Sequence, residues 1–250
     1  MCGISGVAAR GNIAQVLLNS IRNLEYRGYD SCGVAILNGS RIEVRKETGS
    51  VDEVDEKVRL SEPPGQIGIA HTRWATHGGV DRDNAHPHTS CLGDFAVVHN
   101  GILSNYRELR EELSQKGHRF SSETDTEVMA HLLEEYYGKK GNVEEALVRS
   151  LSRLEGSYAL VVVSIYEPEK IFCARKDSPL ILGLGNGRNF VGSDFNAFIE
   201  HTRNAIILDD GEYAILTSDS FVVKKIAGGE ISPKTITRIE WDFETAKKGG

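Results

Sequence analysis

The sequence predicts an α+β protein in which antiparallel sheets are covered by helices. The predicted strands come mostly in adjacent pairs, and three of the predicted helices are grouped together between them. A regular alternation of strand and helix would instead indicate a parallel sheet. The order of elements along the chain therefore decides the fold class.

Apolar periodicity locates the individual elements. Alternating or continuous apolar runs predict strands, and apolar residues three or four positions apart predict helices. Asn38-Gly39 adds a strong hairpin turn signal, and Pro63-Pro64-Gly65 ends a polar helix. The predicted strands cover 4–8, 33–37, 41–47, 67–71, 95–99, 158–165, 171–175, 180–184, 205–208, 213–217 and 221–226. The predicted helices cover 13–26, 51–60, 106–116, 126–137, 143–154 and 195–201.

Composition narrows the class of partner. The 250 residues carry a net charge of −7 without a run of like charges, which argues against nucleic acid or an anionic membrane as the main partner. No apolar stretch has the length that a membrane span needs, and the N-terminus lacks the pattern of a signal peptide. A small molecule is the better-fitting partner.

The four cysteines are widely spaced and form no Cys-x-x-Cys pair, which favours a reducing compartment. The cytoplasm is therefore the expected location. No internal linker is visible before residue 241, whereas 241–250 has the composition of a solvated linker.

Cys2 is the most informative residue, because removal of Met1 would place a thiol and a free α-amine on one carbon. A thiol has an unperturbed pKa of about 8.5 and an α-amine one of about 7.7 to 8.0, so the amine can accept the thiol proton at neutral pH. One residue would then hold both nucleophile and base. Taken alone, Cys2 is better interpreted as a small hydrophobic residue that starts a buried strand.

Five of the eight histidines fall within thirty residues of one another, so a metal site must be considered. Pro87 separates His86 from His88 and precludes the helical spacing of a zinc motif. Histidines also orient loops through hydrogen bonds, and that interpretation is favoured here. The sequence predicts no metal ligand and no cofactor.

The segment 71–78 is dense in groups that bind a carboxylate. Arg73 offers a planar fork, Thr76 and His77 offer further donors, and Trp74 would cover the site and exclude water. An arginine stacked on a tryptophan for packing alone is the alternative.

Two further segments carry polar groups with two interpretations each. Asn100 and Gly101 follow an apolar strand and would form either a tight turn or the paired donors of an oxyanion hole. Thr124 to Glu127 has the pattern of a capping box, with Thr124 as N-cap, and it leaves Asp125 available to pair with an ammonium group.

Together these groups describe one ligand. Arg73 suits an α-carboxylate, Asp125 suits an α-ammonium, Asn100 and Gly101 suit a carbonyl that becomes an oxyanion, and Cys2 suits the attack on that carbonyl. The simplest molecule that uses all of them is an amino acid with a side-chain amide.

The chain resembles the class II glutamine amidotransferase domains. The resemblance rests on five segments in the same order, and the long arginine-containing segment is the most specific of them: Cys2-Gly3-Ile4, Arg27-Gly28-Tyr29-Asp30-Ser31, His71-Thr72-Arg73-Trp74-Ala75-Thr76-His77-Gly78, His99-Asn100-Gly101 and Glu123-Thr124-Asp125-Thr126-Glu127. It implies an N-terminal-nucleophile (Ntn) hydrolase fold, a four-layer αββα sandwich of two antiparallel sheets. Cys32 stands where a small residue such as alanine is expected.

The resemblance also implies a role for each matching residue. Cys2 is the nucleophile and, through its α-amine, the base, while Asn100 and Gly101 form the oxyanion hole. Arg73, Thr76 and His77 hold the glutamine α-carboxylate, Asp125 holds the α-ammonium, and Trp74 gates the passage of ammonia. Arg27, Asp30 and His86 have supporting positions near the site.

Within the family, the match is closest to the branch that makes glucosamine 6-phosphate from fructose 6-phosphate. It implies that residues 1–240 form the glutaminase domain and that 241–250 lead to a sugar isomerase half, in an enzyme that is a homodimer at full length. The rival branches act on phosphoribosyl pyrophosphate or synthesise asparagine. A metal-dependent hydrolase and a catalytically silent glutamine-binding module are the alternatives outside the family.

Overall fold

The computed structural model describes residues 2–75, 78–138 and 141–240. Met1, Thr76, His77 and the predicted linker 241–250 lie outside the described residues. The strands are β1 (Gly3–Ala9), β2 (Ser31–Asn38), β3 (Arg41–Thr48), β4 (Ile67–Arg73), β5 (His88–Thr89), β6 (Phe95–Leu103), β7 (Gly156–Ser164), β8 (Ile171–Lys176), β9 (Ile181–Leu184), β10 (Arg188–Gly192), β11 (Asn204–Ile207), β12 (Glu212–Leu216), β13 (Phe221–Lys225) and β14 (Thr237–Arg238). The helices are α1 (Ala14–Arg22), α2 (Val51–Val58), α3 (Tyr106–Gln115), α4 (Glu127–Tyr137) and α5 (Val143–Leu151), with 3₁₀ turns at Glu25–Arg27 and Phe195–Ala197.

The strands form two sheets in which every pair of neighbours is antiparallel. One sheet has the order β14-β11-β9-β10-β1-β4-β2-β3, and the other has the order β13-β12-β8-β7-β6-β5. The predicted α+β class is confirmed. The hairpin predicted from Asn38-Gly39 is the β2–β3 pair, in which Asn38 is paired with Arg41.

Strand alternation divides the apolar core into three clusters, one between the two sheets and one between each sheet and its helices. In β7, Val161 and Val163 pack between the two sheets, whereas Leu160 and Val162 face α3, α4 and α5. In the other sheet, Ile36 faces α1 and α2. Because successive strand residues point to opposite faces, a strand buried on both sides reads as one continuous apolar run. The layers are therefore helix, sheet, sheet and helix.

One helix end was predicted wrongly, and three strands were missed. The first helix ends at Arg22 and not near Tyr26, because the chain tightens into the Glu25–Arg27 3₁₀ turn. The central strand β10 was missed, since glycines surround its two large apolar residues, Phe190 and Val191, and weaken the strand signal. The short strands β5 and β14 were missed as well.

Among the described residues, no helix has both the length and the apolar character required to cross a bilayer.

Candidate active site

Cys2 immediately precedes β1, a central strand of the larger sheet. Gly3 is paired with Thr72 of β4, so Cys2 lies beside the point where β4 ends at Arg73. The backbone N–H of Trp74 donates to the Cys2 sulfur at 3.2 Å, and the thiol donates to the Trp74 carbonyl oxygen at 3.5 Å. Two adjacent strand ends therefore fix the position of the sulfur.

A small cavity of about 40 Å³ opens at these strand ends, and it collects side chains from both sheets and from the loop before α4. Most of the residues singled out in the sequence surround it. Its lining consists of Cys2, Arg73, Trp74, His86, His99, Asn100, Gly101, Thr124, Asp125 and Thr126. The structure therefore brings together groups that are up to 124 positions apart in the chain.

Asn100 is in the middle of strand β6, paired with Ala159, and not in a tight turn. Its amide Nδ2 donates to the Cys2 carbonyl oxygen at 2.9 Å, so the donor end of the side chain faces Cys2. The turn interpretation of Asn100-Gly101 was wrong, because β7 pairs with β6 through Leu103.

His71 determines which way the Asn100 amide points, a role that the sequence analysis missed. Its Nε2 lies 3.0 Å from Asn100 Oδ1 and 3.2 Å from the His99 carbonyl oxygen. Both partners are acceptors, so Nε2 carries the proton and donates. Burial lowers the pKa of His71 to about 3, which keeps the ring neutral. Asn100 Nδ2 is thereby held toward Cys2.

Gly101 has a conformation and surroundings that require glycine. Its φ is +131°, and a Cβ there would lie 2.2 Å from the Ser157 carbonyl oxygen. A side chain at this position would both strain the backbone and collide with β7. The backbone beside the cavity is therefore unhindered.

Arg73 and Asp125 place opposite charges on the same cavity. Arg73 is 4% exposed, and its Nη1 donates to the Gly79 carbonyl oxygen at 3.0 Å. Asp125 is 8% exposed, and its Oδ2 accepts the Leu103 N–H at 2.8 Å. A ligand that carries both a carboxylate and an ammonium group complements this pair.

The capping box predicted before α4 does not form. The helix begins at Glu127, and Thr124 Oγ1 lies 3.0 Å from His88 Nε2 instead of capping the helix. The Glu127 carboxylate accepts from the backbone and hydroxyl groups of Ser121 and Ser122. The serine donors reach this carboxylate because the chain folds back before the helix.

Arg27 and Asp30 hold the backbone of the site. Arg27 Nε donates to the Cys2 carbonyl oxygen at 3.1 Å, and Arg27 Nη1 lies 3.2 Å from Asp194 Oδ2. Asp30 Oδ2 accepts the Ala75 N–H at 2.8 Å, and the Asp30 N–H donates to the Arg73 carbonyl oxygen at 3.0 Å. Asp194 was missed, since its 167-residue separation from Arg27 leaves no pattern in the sequence.

Trp74 is half-exposed at the mouth of the cavity. Its ring contacts Tyr29 edge to face, with 5.5 Å between the ring centroids, and 45% of the residue is exposed. Gly28 makes room for this loop, because a Cβ there would lie 2.7 Å from the Trp74 nitrogen. The two aromatic rings are therefore positioned to cover a bound ligand.

The histidines around the cavity orient side chains through hydrogen bonds. His86 Nε2 and His99 Nδ1 are both within hydrogen-bond distance of Thr126 Oγ1, at 2.9 Å and 3.0 Å. The His71 and His86 rings are stacked, with centroids 4.2 Å apart. Burial lowers the pKa of each of these rings and of His88. His71, His86, His88 and His99 thus form a neutral, hydrogen-bonded layer beside the cavity.

Burial also raises the pKa of the Cys2 thiol. The Trp74 N–H and the nearby positive charges of Arg73 and Arg27 oppose this effect without overcoming it. Among the described residues, the sulfur is hydrogen-bonded only to the backbone of Trp74. The thiol is therefore protonated at neutral pH and needs a base to become a nucleophile.

Solved structures identify the fold. Glutamine phosphoribosylpyrophosphate amidotransferase from B. subtilis matches with a TM-score of 0.78 and 26% identity, over 91% of this chain and 50% of that chain. A glutamine aminotransferase class-II domain protein from Silicibacter pomeroyi matches with a TM-score of 0.61 and 14% identity, over 90% of this chain and 100% of that chain. The αββα sandwich with a cysteine before its first strand is an N-terminal-nucleophile hydrolase fold.

Curated relatives cover the whole chain. The glutamine–fructose-6-phosphate aminotransferases (isomerizing) of Pyrococcus horikoshii and Thermococcus kodakarensis are each 50% identical to it over 250 residues. The match spans 100% of this chain and 42% of each relative, so the chain spans less than half the length of those proteins.

A family model described as glutamine amidotransferase domain matches residues 71–200. The chain belongs to this family of glutamine amidotransferase domains. The fold class and the family expected from the sequence are both confirmed.

Proposed function

We propose that the chain hydrolyses L-glutamine to L-glutamate and ammonia through a γ-glutamyl thioester on Cys2. The observation that carries the proposal is the shared cavity, where the Cys2 sulfur meets an amide donor, a guanidinium group and a carboxylate. Glutamine offers an amide carbonyl to the sulfur and the amide donor, an α-carboxylate to the guanidinium group and an α-ammonium to the carboxylate.

Activation of the thiol is assigned to the α-amine of Cys2 after removal of Met1. The protonated thiol needs a base, and its described hydrogen-bond partners are backbone groups, which do not titrate. An α-amine has an ordinary pKa of about 7.7 to 8.0, close to neutral pH, where general-base catalysis is most effective. The amine and the sulfur would be joined through two carbons of one residue.

In the first step the thiolate attacks the glutamine amide carbon, and a C–S bond forms. The carbonyl electron pair moves to oxygen, and Asn100 Nδ2 with the Gly101 N–H donates to the resulting oxyanion. Collapse of this intermediate breaks the C–N bond, and the ammonium form of the Cys2 amine gives its proton to the departing nitrogen, which leaves as ammonia. Water then attacks the thioester with the same amine as base, and glutamate leaves as the thiol is restored.

Substrate orientation is assigned to the two buried charges. Arg73 would hold the glutamine α-carboxylate, together with Thr76 and His77, and Asp125 would hold the α-ammonium. Trp74 would cover the bound amino acid, keep water from the cavity and gate ammonia. Arg27 and Asp30 support these groups by holding the Cys2 carbonyl and the loop after β4.

The fate of the ammonia is inferred from the curated relatives. We infer that 1–240 is the glutaminase domain and that 241–250 lead to a sugar isomerase half, in which fructose 6-phosphate becomes glucosamine 6-phosphate. The relatives named for that reaction are 50% identical to the chain. A cytoplasmic homodimer that binds neither nucleic acid nor membrane stays a prediction for the full-length protein.

Labelling with a glutamine-like diazoketone tests the mechanism, read out by intact mass and peptide mapping. We expect loss of the Met1 mass and one adduct, on Cys2. Cys32 and Cys173 are buried, and burial raises their thiol pKa, to about 12 for Cys173, so neither should react. An adduct on another cysteine, or full glutaminase activity in Cys2→Ala, would refute the proposal.

The ammonia acceptor needs a separate experiment on the full-length protein. Glutamine-dependent product formation would be compared with fructose 6-phosphate, phosphoribosyl pyrophosphate and aspartate as acceptors. We expect amino sugar from fructose 6-phosphate alone. Product from either rival acceptor would reassign the branch and leave the proposed glutaminase reaction in place.

A further inference from the structure

Four potential metal ligands converge on the outer helical layer, on residues that do not line the active-site cavity. They are Cys91, His118, His131 and Glu134, and their donor atoms all lie within 4.8 Å of one another. Cys91 comes from the β5–β6 connection and His118 from the segment after α3. His131 and Glu134 lie three residues apart on α4, and residues at that spacing share one helix face.

The separations between the donor atoms fit a tetrahedral ion. Cys91 Sγ lies 3.7 Å from His118 Nδ1 and 3.5 Å from His131 Nδ1. Glu134 Oε2 lies 3.1 Å from His118 Nδ1 and 4.0 Å from His131 Nδ1. Zinc bonds of about 2.0 to 2.3 Å at tetrahedral angles place neighbouring ligand atoms roughly 3.3 to 3.6 Å apart. The other two pairs, Cys91 Sγ with Glu134 and His118 Nδ1 with His131 Nδ1, lie within 4.8 Å.

Both imidazoles are oriented as metal ligands usually are. Each Nδ1 points toward the sulfur, while each Nε2 faces a carboxylate outside the cluster. His118 Nε2 lies 3.4 Å from Glu135 Oε2, and His131 Nε2 lies 3.6 Å from Glu127 Oε1. A carboxylate behind a ligating histidine fixes its tautomer and raises its basicity.

The sulfur and the carboxylate are also held by backbone donors. The Arg119 N–H donates to Cys91 Sγ at 3.3 Å, and the Leu92 N–H donates to Glu134 Oε1 at 2.8 Å. Backbone donors therefore fix the positions of both ligand groups. Cys91 is exposed, so an ion has a path to the cluster.

We propose that Cys91, His118, His131 and Glu134 form a structural Zn²⁺ site. One thiolate, two neutral imidazoles and one carboxylate give the mixed donor set of a tetrahedral zinc site, and their two negative charges balance the ion. The bound ion joins the β5–β6 connection and the segment after α3 to helix α4. It takes no part in glutamine hydrolysis, since its ligands do not line the cavity.

The test measures zinc in the chain carrying Cys2→Ala, so that the active-site thiol contributes no ligand. The protein is stripped with a chelator, dialysed against Zn²⁺ and analysed by mass spectrometry for metal content and by thermal unfolding. We expect about one zinc per chain and a higher unfolding midpoint with zinc than with chelator. A Co²⁺ titration should produce a sulfur-to-cobalt charge-transfer band in the near ultraviolet.

Three further variants decide whether these residues hold the ion. Cys91→Ser should abolish the cobalt band and weaken zinc binding by about 100-fold, and Glu135→Gln should weaken it by about tenfold through His118. His201→Ala, which removes an exposed histidine outside the cluster, is the matched control and should bind zinc normally. Retention of zinc by Cys91→Ser at the original affinity, or less than about 0.1 zinc per chain in the parent, would overturn the proposal.

Discussion

The histidines beside the cavity and the outer pair, His118 and His131, differ in what faces their ring nitrogens. The cavity group is fully buried and bonded mainly to hydroxyl and carbonyl groups, so burial lowers the pKa of His71, His86 and His99. On α4, burial also disfavours the charged form of His131, yet two carboxylates outweigh it and raise the pKa. Burial therefore sets the direction of the pKa shift beside the cavity, whereas the carboxylates of Glu127 and Glu134 set it at His131.

This difference suits what each group does. A neutral layer next to Cys2 can fix hydrogen-bond donors without placing another positive charge near the substrate ammonium. The outer group instead gathers a thiol and carboxylates, which suit a cation. The neutral group therefore lies beside the site proposed for glutamine, and the outer group forms the site proposed for a metal ion.

The largest expected effect comes from removing the proposed nucleophile, Cys2, which lies beside the neutral histidines. Cys2→Ala should lower kcat for glutamine hydrolysis by more than about 1,000-fold, because no thioester can form. A coupled glutamate assay measures it, with Cys173→Ala as the thiol control, expected to keep kcat within about twofold. Comparable losses in both variants would mean that the thiols contribute only through folding.

The oxyanion donor should rank next. Asn100→Ala should lower kcat by about 100- to 1,000-fold with little change in KM, since the amide acts on charge that develops in the transition state. Steady-state kinetics over a range of glutamine concentrations measures both constants. A rise in KM with unchanged kcat would assign Asn100 to ground-state binding instead.

His71 sharpens the comparison, because its neutral Nε2–H orients Asn100. His71→Phe should lower kcat by about tenfold through loss of that orientation, whereas His71→Gln retains a donor and should recover part of it. His201→Ala is the control on a histidine outside both groups. Equal losses in His71→Phe and His71→Gln would show that packing, and not the hydrogen bond, sets the effect.

The smallest expected effect is the change in folding stability with pH that His88 produces. His88 is neutral in the folded protein, because burial holds its pKa well below the ordinary value near 6.5, whereas in the unfolded chain it takes up a proton below that pH. Folding stability is therefore lost as pH falls below about 6.5, by up to about 1.4 kcal/mol per pH unit for this histidine. Denaturant unfolding between pH 6.5 and 5 measures the slope.

His88→Gln is the matching variant, since it removes the titration and keeps a donor for Thr124 Oγ1. Its unfolding free energy should depend less on pH than that of the parent across the same range. An unchanged slope would contradict a neutral buried His88.

The fold and much of the site could be predicted from the sequence where the signal is local. Asn38-Gly39 determined the β2–β3 hairpin, and the continuous apolar run in β7 predicted a strand buried on both faces. Local patterns failed where distant partners decided the outcome. Asn100-Gly101 has a turn signature, yet pairing with β7 keeps it in β6. Glu127 forms no capping box, because its carboxylate accepts hydrogen bonds from Ser121 and Ser122 instead.

The sequence by itself determined the class of elements and the residue types that fit an amino acid amide, because side-chain chemistry and hydrophobic spacing are properties of neighbours in the chain. Only the tertiary structure decided that Cys2, Asn100 and Asp125 share one cavity and that His71 orients the amide. It alone joined Cys91 to His118 and His131. These contacts depend on strand register and layer packing, which act between segments far apart in sequence.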